Sequence, residues 1–411
     1  NGLHVVLKGY LAMAAGLVVG LGLPAVDHWL NVRVPLFVFS TQDAARSMRG
    51  TVATATVSVA GIAFSVTVVA FTLSANQLSP RVLRSFRRDL IAQLTLASFL
   101  GTFVYCVAVL ARLGASRAEH VPYLSIALAI VLALTSFGLF ALFIGHIANM
   151  LQPSSIISSI ALDAREELTR PFPAGLGGEP SDPARAEASA RSRCASKPGS
   201  PVRHRGDGFL VVVRAAEIVD LAEREDALVR QTAPIGAYVL PGEPVAEVWP
   251  REDDAAEKLA ERVGELFQLG SQRTLPQDPG FPIRQLADVA LKGLSPGVND
   301  PTTATNALEA MTACLLRFAG SEKAGAVRVG RSGEPRLLVE APDLDRLTRL
   351  GFAQPIEFVG ADPVVRERIR RLLGSLRQTA LHHGLRHVRI DELLARDAGR
   401  GGAAAAREEG R

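Results

Sequence analysis

Four stretches, residues 9–26, 51–74, 90–111 and 121–145, contain no Asp, Glu, Lys or Arg. A helix needs about 20 apolar residues to cross a hydrocarbon core of about 30 Å. The pattern therefore predicts four transmembrane helices within residues 1–152. Polar and apolar positions then follow helical spacing and predict a stalk over 153–170. Residues 171–208 are rich in Pro, Gly, Ser, Ala and Arg and poor in large apolar side chains. Such a segment has little to bury, so it predicts a disordered linker. From 209 to 395, short β-branched runs mix with helical periodicity, with a hairpin pattern around Pro241-Gly242, and predict a cytoplasmic α+β domain. The end of the chain, 396–411, predicts a disordered tail. The expected fold class is membrane α-helical: four transmembrane helices followed by a cytoplasmic α+β domain.

Composition agrees, with 48% hydrophobic and 21% charged residues over 411 positions. Residues 1–152 hold ten Lys or Arg against four Asp or Glu, and the rest of the chain holds 35 against 37. The basic excess thus belongs to the membrane half, so the pI near 9.2 is no sign of nucleic-acid binding. Arg81, Arg84, Arg87 and Arg88 follow the second span against Asp89 alone. The positive-inside rule places this cluster, and with it both termini, in the cytoplasm, although Arg46 and Arg49 then lie outside. The first apolar run lacks a basic n-region and a small-x-small cleavage site before Asp27, and reads as a span rather than a cleaved signal. Cys106, Cys194 and Cys314 are too scattered for a disulfide framework and are expected as free thiols.

The second span carries the most informative pattern. At 100° per residue Thr51, Thr54, Ser58, Gly61, Ser65, Thr72 and Asn76 fall within an arc of about 80°. Two readings stand: small residues allow helices to pack closely, or the hydroxyls and Asn76 line a water-filled path. Ala12, Gly16 and Gly20 form a small-xxx-small edge on the first span, where packing is the favoured account. No span carries an intramembrane carboxylate, Lys or Arg, which argues against an ion-coupled pump.

In the soluble half, Arg273-Thr274-Leu275-Pro276-Gln277-Asp278, Phe281, the run from Gln285 to Leu291 and Leu294-Ser295-Pro296-Gly297-Val298-Asn299-Asp300-Pro301 resemble the bacterial membrane-protein family catalogued as domain of unknown function 2254. The resemblance extends to the runs Val59 to Ser65 and Ser79 to Arg84, and to Gly101-Thr102-Phe103-Val104-Tyr105, and it covers most of the chain through about Ala304. It implies a multi-pass protein of a bacterial inner membrane and supplies no activity, cofactor or substrate.

Gln285, Asp288 and Lys292 share a helix face, and with Arg273, Gln277, Asp278, Asn299 and Asp300 they are candidates for a ligand pocket or subunit contact, or else an exposed polar face with turn caps. Asp300 suits the cap of a helix that begins at Pro301. His383 and His387 have i, i+4 spacing, yet they lack a Cys or third partner and Gly384 weakens the helix, so no metal site is expected. The run from Gly236 to Val248 looks like a biotinyl or lipoyl hairpin without its acceptor Lys, and no cofactor is expected. The chain holds neither a Walker-type loop nor a nucleophile elbow. The function expected is therefore non-enzymatic: an oligomeric, channel-like pore lined by Thr54, Ser58, Gly61, Ser65, Thr72 and Asn76. A homo-oligomer follows because four helices of one chain enclose little space. The alternative is a membrane-anchored sensor or scaffold whose cytoplasmic domain binds a ligand or partner protein.

Overall fold

The computed structural model describes residues 2–30, scattered helical positions between 47 and 69, and residues 90–115, 123–150, 152–169, 178–251, 255–321, 325–340, 342–360 and 362–408. The chain divides into two compact units, Asn1–Ile156 and Ile157–Arg411.

The first unit is helical, with α1 (Gly2–Leu30), α2 (Leu90–Ala115) and α3 (Tyr123–Met150). Among the described residues three segments are long and apolar enough to cross a membrane: Gly9–Val26, Gln93–Ala111 and Leu124–Asn149. The second sequence-predicted span lies mostly outside the described residues. Its described positions, Thr54, Ser58, Gly61 and Ser65 among them, are helical.

The small residues of α1 are there for packing. A Cβ on Gly16 would run into the Gly101 carbonyl oxygen and lie 3.2 Å from the Tyr105 nitrogen, and one on Gly20 would lie 2.9 Å from the Tyr105 carbonyl oxygen and 2.8 Å from the Ala108 Cβ. The Ala12–Gly16–Gly20 edge therefore brings α1 against α2 backbone to backbone. Between α2 and α3 the contact is polar at its centre. The Ser98 and Ser136 hydroxyl oxygens are 2.6 Å apart, those of Thr102 and Ser136 are 3.1 Å apart, and the Tyr105 hydroxyl donates to the Ser125 carbonyl at 2.9 Å. Phe99 packs edge-on against Phe137 and Phe140 beside them. Apolar helices gain no hydrophobic drive to associate in lipid, so close packing and such hydrogen bonds set their pairing.

From α4 (Pro153–Thr169), most of which lies in the second unit, the chain runs to α5 (Pro183–Ser196), β1 (Ser200–Arg203), β2 (Gly208–Val213), α6 (Ala215–Arg224), β3 (Leu228–Gln231), β4 (Tyr238–Val239), β5 (Pro244–Trp249), α7 (Ala256–Gly264) and β6 (Phe267–Gly270). Then come α8 (Gly280–Leu294), α9 (Pro301–Gly320), β7 (Val327–Val329), β8 (Pro335–Leu338), α10 (Leu344–Phe358), α11 (Pro363–His382) and α12 (Val388–Glu408). Five strands form a mixed sheet in the order β1-β5-β3-β8-β7, with β3 and β8 parallel, and three form an antiparallel sheet, β4-β2-β6. Leu210, Ile218, Val229, Val248, Leu259, Phe267 and Leu337 fill one buried core that includes strands from both sheets. The arrangement is an α+β region separate from the apolar helices.

Three local expectations are corrected. Within 171–208, expected as an unstructured linker, residues 183–196 form α5 and 200–203 form β1. Asp182 caps α5 by accepting from the Arg185 N–H at 3.0 Å, with Pro183 in the first turn. Few large apolar side chains suffice here because Ala190 packs with Leu228, Trp249 and Leu338 of the sheet. Arg193 ties the helix down by donating to the carbonyls of Asp226 (2.8 Å) and Trp249 (3.0 Å).

The hairpin at Pro241-Gly242 does not form. The turn is present, with Gly242 at φ +82° and the Glu243 N–H reaching the Leu240 carbonyl at 3.0 Å. Its two arms pair elsewhere, β4 with β2 and β5 with β1 and β3. An alternating pattern flanking Pro-Gly marks the turn and leaves the partner open, so this one passes the chain between sheets.

The expected tail is helical as far as Glu408. Asp345 receives the Arg389 and Ile390 N–H groups at 2.7 and 3.0 Å and so caps α12 from a neighbouring helix. Asp397 is fully buried between Arg366, at 2.8 Å, and Arg370. Removing one partner of a buried pair strands the other charge. Asp397→Ala is expected to cost about 3–5 kcal/mol and to lower the thermal midpoint of the purified protein by roughly 6–15 °C. A midpoint unchanged within 2 °C by scanning fluorimetry would show that the pair is not what holds α12.

Candidate functional site

The second unit has a cleft of about 510 Å³ formed by residues 234–237, the 273–280 segment and α10. Its geometry starts at a turn. Pro276 and Gln277 occupy the centre of a turn closed by the Asp278 N–H on the Leu275 carbonyl at 3.2 Å, with Gln277 at φ +64°. A left-handed conformation costs a non-glycine residue about 1 kcal/mol, and local bonds offset it. The Gln277 side chain accepts from the Val213 N–H at 3.0 Å and donates to its carbonyl at 3.5 Å, extending the end of β2. The Gln277 N–H in turn donates to the Glu167 carboxylate of α4 at 2.8 Å.

Asp278 follows, nearly fully buried, in a two-pronged pair with Arg273 at 2.7 and 2.8 Å. Burial pushes its carboxyl above the ordinary range, opposed by the Arg273 guanidinium and the N–H groups of Phe281 and Gly280. The guanidinium also lies over the Phe281 ring, 5.6 Å from its centroid. Gly236 makes room for this pair. It sits at φ +81°, and a Cβ there would strike the Asp278 carboxylate and lie 2.7 Å from the Arg273 Nε.

The cleft mouth is cationic. Arg284 pairs with Asp288 at 3.0 Å and donates to the Gln354 side chain at 2.6 Å. Arg346 pairs with Glu340 in an exposed position, and Arg349 is exposed one turn further along α10. Ile235, Leu347 and Leu350 supply apolar walls. Among the described residues lining the cleft there is no Ser, Thr, Cys, His, Lys or Tyr, so none supplies a hydroxyl, thiol or amine nucleophile.

Of the candidates in the second unit, the structure brings Arg273, Gln277 and Asp278 to the cleft. Gln285 and Asp288 lie further along α8, where Asp288 pairs with Arg284. Asn299 and Asp300 shape the corner between α8 and α9. Asn299 is left-handed at φ +48°, and Asp300 caps α9 by accepting from the Thr303 N–H at 3.0 Å. Hydrogen bonds from the Thr303 side chain and backbone hold the Asp300 carboxyl below its ordinary range. Gly293 permits the tight corner, since a Cβ there would lie 2.8 Å from the Asp300 carbonyl oxygen.

Gly236, Arg284, Arg346 and Arg349 are contributors that sequence reasoning missed. Arg284 and Asp288 at i, i+4 and Arg346 and Arg349 at i, i+3 are visible spacings, but nothing local says that two distant helices share a cleft.

In the membrane unit, Thr54, Ser58, Gly61 and Ser65 are exposed, and among the described residues no atom outside Gly61's own helical turn comes within 4 Å of where its Cβ would stand. The Thr54 and Ser58 hydroxyls each donate to the carbonyl four residues back at 2.9 Å. Thr72 and Asn76 lie outside the described residues.

A family model described as "Predicted membrane protein (DUF2254)" matches residues 5–375. The match runs well beyond Ala304 and takes in α9, α10 and most of α11. The chain is 26% identical over 382 residues to uncharacterized proteins of Mycobacterium bovis (Mb1321c) and Mycobacterium tuberculosis (Rv1290c), covering 89% of this chain and 71% of each relative. No solved structure gives a significant match.

Two glycines test how the pair is held. Gly236 and Gly242 have nearly the same φ, +81° and +82°, but among the described residues nothing beyond its chain neighbours lies within 4 Å of a Cβ on Gly242. Gly242→Ala should cost only the backbone strain of about 1 kcal/mol. Gly236→Ala must also displace a buried ion pair and should cost about 3 kcal/mol or more. Equal losses in chemical denaturation would mean that Gly236 does not seat the Arg273–Asp278 pair.

Proposed function

Because the chain belongs to the predicted membrane protein family DUF2254, we propose that it acts as an oligomeric, channel-like pore lined by its second span and controlled by its soluble unit. The observation that carries this reading is the face bearing Thr54, Ser58, Gly61 and Ser65, which is exposed and which no other described residue covers. Back-bonded hydroxyls satisfy their own donors and still present oxygen lone pairs outward, where water or a partly dehydrated cation finds acceptors without a fixed charge. A second copy supplies the opposing wall. Protein reconstituted in liposomes is expected to pass monovalent ions, and Ser65→Leu is expected to reduce the flux at least about tenfold by placing an apolar branch in the path. Absence of conductance in both orientations would sink the pore.

A membrane-anchored sensor or scaffold is the second reading, favoured by the cleft and by the Gln277–Glu167 hydrogen bond that joins its wall to α4. Deleting the soluble unit without any change in flux or phenotype would exclude both regulation and scaffolding.

The proposed orientation puts both termini on the cytoplasmic side of the bacterial inner membrane, following Arg81, Arg84, Arg87 and Arg88. An alkaline phosphatase fused after Arg88 is expected to stay inactive and one fused after Gly114 to be active. The reverse pattern would invert the topology.

A further inference from the structure

We infer that the cleft between the 234–237 segment, the 273–280 segment and α10 is a binding site for a small amphipathic organic anion, with the arginines of its mouth taking the charged head and its apolar wall taking the body.

The charges of the cleft are unevenly committed. Asp278 is spent on Arg273 at 2.7 and 2.8 Å, deep in the wall. Asp343 serves as a helix cap, accepting from the Asp345 N–H at 2.8 Å. That leaves Glu340 as the carboxylate facing the mouth, and it shares a pair with Arg346 in which both side chains are substantially exposed, 52% and 38%. An exposed pair of this kind contributes little and exchanges readily for another anion. Arg349, on the same face of α10, makes no hydrogen bond or ion pair with any described residue. Arg284 is held by Asp288 and Gln354, so its guanidinium is positioned in advance.

The mouth therefore offers two guanidinium groups open to a new partner and a third fixed beside them. Guanidinium forks match carboxylate, sulfonate and phosphate oxygens in two-point contacts. Ile235, Leu347 and Leu350 make the adjoining wall unsuited to a fully hydrated inorganic ion, and a volume of about 510 Å³ is in the range of small-molecule pockets. The head and body together define the class. The occupant is either a soluble metabolite of this type or the headgroup end of an anionic lipid.

This inference deepens the sensor reading and is independent of the pore. It is tested by occupancy alone, on the full chain in phosphatidylcholine nanodiscs, carrying Cys194→Ser and Ala353→Cys. Ala353 lines the cleft, while Cys106 and Cys314 are buried. Alkylation of the introduced thiol by iodoacetamide is timed with 8-anilinonaphthalene-1-sulfonate or with N-phenyl-1-naphthylamine, its twin without the sulfonate. Saturating sulfonate is expected to slow alkylation about tenfold and the neutral twin to leave it unchanged. Arg349→Gln, at an exposed position, should raise the half-protecting concentration about tenfold, as should Arg346→Gln. In phosphatidylglycerol nanodiscs, protection before any sulfonate is added would identify a lipid headgroup as the anion; protection only by the added sulfonate would identify a soluble one. Equal protection by both probes, no protection by either, or indifference to both arginine variants overturns the site. An anion that protects the thiol yet changes neither flux nor phenotype leaves the site standing and sinks the sensor.

Discussion

A polar group removed from water must find its partner inside the protein, and both units of this chain are organised by that requirement. In the apolar helices it is met with hydroxyls. Ser98 and Thr102 of α2 each bond Ser136 of α3, Tyr105 reaches a backbone carbonyl, and Thr54 and Ser58 turn back on their own helix. In the second unit it is met with charges in fixed geometry. Arg273 holds Asp278, Arg366 and Arg370 hold Asp397, and Asp345 closes the start of α12. These contacts add less to net stability than apolar burial does, but each excludes alternatives, because the same groups misplaced would be left unpaired at a cost of about 1–3 kcal/mol or more.

The requirement also explains how the cleft wall is tied to the rest of its unit. Gln277 takes an unfavourable backbone conformation because its side chain completes β2 and its N–H meets Glu167. The turn that positions Asp278 thus depends at once on a sheet and on α4, the helix that follows the last apolar span after Leu151 and Gln152. Any displacement of Arg273 or Asp278 would strain a turn whose bonds are already shared between two elements. Such shared bonds are where a packed structure switches between discrete arrangements instead of deforming smoothly.

Much of this was legible in the sequence where the signal is local. Charge-free runs gave the three described spans, the Ala12, Gly16 and Gly20 spacing gave close packing of α1, and Asn299-Asp300-Pro301 gave the cap of α9. Arg273, Gln277 and Asp278 were legible as a cluster because they lie within six positions. What escaped is non-local. α5 is anchored by Ala190 and Arg193 to Trp249 and its neighbours, a contact composition cannot foresee. β4 and β5 look like a hairpin and separate into two sheets because strand pairing is decided by distant partners. Arg346 and Arg349 meet the 273–280 segment across about 70 residues of sequence, which no helical or strand period spans.

The uneven use of small residues bears on the proposed assembly. α1 spends its glycines against α2, and α2 spends its hydroxyls against α3, so these faces are covered within one chain. The described face of the second span is covered by no other described residue. Against lipid tails, Gly61 and the short hydroxyl side chains make fewer dispersion contacts than Leu or Phe would, and their backbone lies closer to the hydrocarbon. Such a face gains most where another helix or a file of water can approach its backbone. In the proposed assembly a second copy would supply the helix, and several copies around an axis would supply both, which is why the proposed pore and the packing of the second span are two consequences of one exposed surface.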